Sequence, residues 1–173
     1  VDGGLRLEAL FVAYYDYYVP SFALQVAAQS LNLKQQDLSL TLGESVRLGR
    51  LTIRTNPLSE MLTFFYSGTE GKPAFAVDSF FDVREGKIPM SKYKDKIVLI
   101  GPTAKGLGTP QKTPVDTAMM PVVTLAHTVS SILQEHFFVV PSWARWAELG
   151  IFALVVLYIV GLLPRLKAGP AAG

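Results

Sequence analysis

Residues Lys96 to Thr109 constrain the fold more than any other stretch. Four apolar residues, Ile97 to Ile100, mostly β-branched, stop abruptly at Gly101-Pro102. A short, uniformly apolar run closed by glycine predicts a strand covered on both faces. The loop behind it carries Gly101, Gly106 and Gly108 with Pro102, Pro110 and Pro114, and Pro121 then opens a helical pattern. Strand, glycine-rich loop and helix, in that order, form the place where an α/β fold usually holds a ligand. A turn that merely carries the chain over a sheet accounts for the same glycines.

The rest of the first half reads mainly as strands. Residues 5–14 alternate and then turn wholly apolar, which predicts a strand with one end buried; Tyr17 to Val19 returns after a tight turn at Asp16. Ser21 is placed to cap a helix over Phe22 to Leu31, with Leu24, Ala27, Ala28 and Leu31 on its broader apolar face. Asp37 to Leu42 alternates as a half-exposed strand. Val46 to Leu48 and Leu51 to Ile53 flank Gly49-Arg50 as a hairpin, and Met61 to Tyr66 is a further, aromatic-rich strand. Asp78-Ser79 opens a short helix that Gly86 closes, and a long helix is expected over Val122 to Phe137, burying Val122, Leu125, Val129, Ile132 and Leu133. The sum is a sheet-centred α/β or mixed α+β domain.

The last segment changes solvent. Leu149 to Leu163 has no charged residue, Trp143 and Trp146 precede it, and Arg165 and Lys167 follow. Interfacial tryptophans and a basic flank on the cytoplasmic side are the marks of a membrane span over 147–163. A buried core helix is the alternative. Residues 164–173 then form a cytoplasmic loop or linker.

Composition excludes several functions. Sixteen basic and fourteen acidic residues give a net charge of +2 with no basic stripe, so no nucleic-acid partner is expected. There is no cysteine for a disulfide or a thiolate metal site. A phosphate-binding loop needs Gly-Lys-Ser/Thr where this chain has Gly106-Leu107-Gly108, and a dinucleotide glycine fingerprint is absent. His127 and His136 fall on opposite sides of the expected helix, so they share no metal site and read as capping or solvated groups. Asp82 and Glu85 are neighbours at i, i+3, which fits metal ligands but more often means a solvated face. No catalytic constellation, metal site or cofactor is expected.

Several stretches taken together resemble the extracytoplasmic sensor domain called CHASE, type 2, of bacterial receptors. They are Asp2-Gly3 through Arg6, Pro20 to Leu24, Phe81 to Pro89, Lys94 to Gly108, Thr113-Pro114, Met120-Pro121 and Pro141 to Trp143. The chain looks like the C-terminal part of such a domain, over residues 1–143, with its N-terminal half and a preceding membrane helix missing. The resemblance implies a sensor lying outside a bacterial inner membrane over residues 1–146. It relays a stimulus through membrane helices to a cytoplasmic adenylate or guanylate cyclase, histidine kinase or serine/threonine kinase. The expected partners are the membrane, an unknown small-molecule or protein stimulus, and a second copy in a homodimer. On this reading Thr103, Lys105, Gly106, Gly108 and Thr109 form the ligand-facing loop. Two departures bear on it: Thr109 stands where the family often has an acidic residue, and Val122 to Ala126 replace a Gly-Val-Glu pattern, leaving His127 one place late. The rival is an assembly module that binds no small molecule and docks through Tyr14, Tyr15, Tyr17 and Tyr18.

Overall fold

The computed structural model describes residues 3–69, 72–104, 107–138 and 143–162. The chain divides into two compact units, Val1–Val139 and Val140–Gly173.

Local sequence explains most elements of the first unit. The expected first strand breaks in two, β1 (Leu7–Ala9) and β2 (Phe11–Tyr14), because Leu10 between them turns into the core and is fully buried. β2 pairs antiparallel with β3 (Tyr17–Pro20). Tyr15, with φ +52, makes the turn. Ser21 accepts a hydrogen bond from the Leu24 amide at 3.3 Å and starts α1 (Phe22–Ser30), which buries Ala23, Leu24, Ala27 and Ala28. β4 (Leu38–Thr41), β5 (Ser45–Leu48) and β6 (Leu51–Arg54) form an antiparallel meander, with Gly49 at φ +59 in the β5–β6 turn. β7 (Glu60–Thr63) lies between β1 and β8 (Phe137–Phe138), again antiparallel. α2 (Phe80–Arg84) has Ser79 as its cap, and Gly86 closes it at φ +73.

α3 (Pro121–Leu133) packs on α1 and starts with proline in its first turn, where the missing N–H removes no helical bond. Leu10, Leu24, Val46, Leu48, Ile53, Met61 and Ile132 meet in one core between α1, α3 and the sheets. This is a mixed α+β fold with three small sheets, and every strand pairing among the described residues is antiparallel.

Three expectations are corrected. Ile97 to Ile100 is not a buried strand: the segment joins no ladder, and Ile97, Val98 and Ile100 are 45%, 50% and 76% exposed. An apolar run states a preference for burial, but a strand forms only where a neighbour supplies the ladder, and none of the three sheets reaches it. The aromatic strand ends at Thr63 rather than Tyr66, because Phe64 to Tyr66 dock on α3 instead. The long helix ends at Leu133, not Phe137. Glu135 takes φ +56 and reverses the chain into β8, so His136 lies beyond the helix.

In the second unit, α4 (Ala144–Leu157) continues as a π-helical turn over Tyr158–Leu162. Its window Ala144–Gly161 has mean hydropathy 1.7, and none of it is buried. Eighteen residues rise about 27 Å, close to the roughly 30 Å of a bilayer's hydrocarbon. By length and composition the helix is therefore long and apolar enough to cross a membrane. Residues 163–173 lie outside the described residues.

Candidate functional site

The glycine loop does not gather into a pocket that the described residues define. Thr103, Gly108 and Thr109 are all exposed, and Lys105 and Gly106 lie outside the described residues. Gly108 takes φ +127 with open space where a side chain would stand. Gly101 serves packing: a Cβ there would lie 2.7 Å from the Val122 Cβ, so glycine lets the chain cross the first turn of α3.

The densest polar constellation lies on the buried side of α3. Thr124, His127, Thr128 and Ser131 are all buried there, alongside Val129 and Ile132. Two of them act as a substitute for a strand edge. The Ser131 hydroxyl accepts from the Phe64 amide at 3.1 Å and donates to the Phe64 carbonyl at 2.9 Å. One turn back, His127 Nδ1 accepts from the Tyr66 amide at 3.1 Å. The side-chain spacing i, i+4 on the helix thus matches the i, i+2 rise of an extended chain.

Aromatic rings enclose this junction. The His127 ring lies 5.9 Å from the Tyr66 ring and within 11° of parallel to it. Phe75 meets His127 edge-on at 4.8 Å, and Phe65 covers it at 5.2 Å. On the far side the Tyr66 phenol and His136 Nδ1 share a hydrogen bond of 3.3 Å, its direction set by the His136 tautomer. The two histidines therefore do meet at one residue, contrary to their expected separation, because only His127 is helical.

Electrostatics follow from burial. Desolvation holds the His127 imidazole below its ordinary pKa, so the ring is neutral at pH 7 with its proton on Nε2 while Nδ1 accepts. Desolvation pushes the Tyr66 phenol up. A half-open hollow of about 280 Å³ adjoins the junction, lined by Tyr66, Ser67, Thr69, Phe75, Ser130 and Gln134. No carboxylate hydrogen-bonds or pairs with either histidine among the described residues. The described residues hold no group of three metal-ligating side chains. Asp82 pairs with Lys87 at 3.0 Å and Glu85 with Arg84 at 3.5 Å, all on an exposed face. The arrangement positions chain segments and a titratable ring.

Sequence reasoning missed this junction. The available signal was a run of hydroxyls and a histidine at positions 124, 127, 128 and 131, spaced as a helical core face is spaced.

Residues 1–163 match the family model of the CHASE2 domain. No curated protein and no solved structure matches the chain.

Proposed function

Because the chain belongs to the CHASE2 domain family, a family of extracytoplasmic sensor domains, we propose that it is the signal-sensing region of a bacterial membrane receptor. The observation that carries the proposal is the extent of the match, which runs through the mixed α+β unit and into the apolar helix. Residues 1–146 face the extracytoplasmic side, and α4 crosses the inner membrane. A stimulus biases the packing of the first unit, and the chain passes that bias through β8 and residues 139–143 into α4. For this to signal, the stimulus binds two conformations with different affinity. Thr103, Lys105, Gly106, Gly108 and Thr109 are the candidate contact residues of the glycine loop. The output is a cytoplasmic cyclase or kinase domain, so the sensing region itself is not an enzyme.

One observation favours a second reading, an assembly module that forms a homodimer or docks a partner. Tyr14, Tyr15, Tyr17 and Tyr18 crowd one hairpin, all exposed, Tyr15 to 87%. Exposed aromatic side chains are enriched where proteins meet.

The test is the reading frame beyond Gly173. Further membrane helices followed by a cyclase or kinase motif set support the receptor; a soluble catalytic domain with no further apolar segment overturns it. If residues 103–109 face the stimulus, substitutions there change the output's dose response, whereas substitutions in the tyrosine hairpin change only the association state.

A further inference from the structure

The junction on α3 has one hydrogen bond that a proton destroys. His127 is 2% exposed, and its only hydrogen bond among the described residues uses Nδ1 as an acceptor. A second proton on the ring goes to Nδ1, because Nε2 already carries one. The amide of Tyr66 then faces an N–H, and a cation sits among the rings of Phe65, Tyr66 and Phe75. Both changes disfavour the docked state. We infer that this junction is a proton-binding site, a latch that holds residues 64–66 on α3 at neutral pH and releases them in acid. The inference rests on the sensor reading and names its stimulus.

No carboxylate among the described residues pairs with the cation, and the ring faces around it recover only part of the hydration lost on burial. Neither α3 nor α1, which packs on it, has a charged residue within its helical span. From the segment in contact comes only Tyr66, whose phenol is a weak acid at physiological pH. Beyond the helix end stand Glu135 and His136, both exposed, with His136 across the far side of the Tyr66 ring. In β7, Glu60 accepts from the Asn56 side chain at 2.7 Å. In the loop that carries Phe75, Lys72 is exposed, and Asp78 is held by Lys92 at 2.7 Å and Tyr93 at 2.8 Å. None of these carboxylates hydrogen-bonds or pairs with His127.

The direction of the pH effect follows. The docked ring has its pKa lowered from 6.5 by desolvation, and the released ring regains the ordinary value. The released state therefore binds the proton more tightly, and docking is undiminished above about pH 6.5 and weakens as pH falls through the window between the two values. The latch sits where a change can be passed on. It joins the end of β7 to α3, and the chain leaves α3 through β8, which pairs with Leu62 and Thr63 of β7.

The experiment is amide hydrogen exchange on the whole chain in lipid nanodiscs, from pH 7.5 to 5. Corrected for the intrinsic pH dependence of exchange, protection of the Tyr66 amide falls by up to about tenfold per pH unit below pH 6.5. His127→Asn keeps an acceptor near the Nδ1 position without titrating, so its protection stays flat; His136→Asn keeps the wild-type response. A Tyr66 amide whose protection does not change in the wild type, or changes equally in His127→Asn, overturns the latch. The wild-type measurement stands even where a variant fails to fold. Trp143 and Trp146, the two tryptophans, open α4 and report on it separately. A latch that opens while their emission stays constant supports the proton site and contradicts the relay.

Discussion

Ser131 shows what a single hydroxyl does here. It is fully buried and bonds the Phe64 backbone twice, at its amide and at its carbonyl. Ser131→Ala leaves an amide and a carbonyl unpaired and should cost about 1–3 kcal/mol, read as a lower denaturation midpoint with unchanged slope. The loss should not depend on pH, since serine does not titrate; a His127 substitution differs in that respect. Glu8 makes an opposite prediction. Burial raises its carboxyl pKa, so the folded state holds the proton more tightly than the unfolded chain and stability declines as pH rises through the carboxylate range. Glu8→Gln should raise the melting temperature at pH 7 and lose that advantage toward pH 4; an advantage unchanged across that range would contradict burial as the cause.

At the scale of elements, what was legible in the sequence is what short-range chemistry decides. Ser21 and Ser79 cap their helices, Pro121 opens α3 and Gly49 turns the β5–β6 hairpin, as residues within four positions of each dictate. Ser21→Ala should cost about 1 kcal/mol. The segment 97–100 was misread because its apolarity specifies burial and not a partner. His127 reads as a capping or solvated group, and Ser131 carries no signal at all, because their partners, Tyr66 and Phe64, lie 61 and 67 residues away. No periodicity within a helix carries that information. The glycine loop was legible as a loop, while the reason for Gly101 is a contact with Val122. Gly101→Ala should therefore destabilise the first unit by about 1–3 kcal/mol through overpacking, and Val122→Ala in the same chain should recover part of it. Equal loss in the single and double variants would show that Gly101 is needed for something other than that contact.

For the whole molecule, the two units differ in what they bury and expose. The first has a core assembled from α1, α3 and three antiparallel sheets. The second is a helix without a charged residue from Leu149 on, with exposed Trp143 and Trp146 at its start, as suits an interface between water and lipid. The CHASE2 family match runs through the first unit and into the second, over residues 1–163. The most direct test uses the absence of cysteine from the sequence. Single cysteines at Ser39, exposed on β4, and at Ala171 are treated in spheroplasts with a maleimide that does not cross membranes. The account predicts labelling of Ser39→Cys in intact spheroplasts and of Ala171→Cys only after the membrane is opened. Labelling of both before opening, or of Ala171→Cys alone, would contradict an extracytoplasmic sensor carried on a membrane-spanning α4.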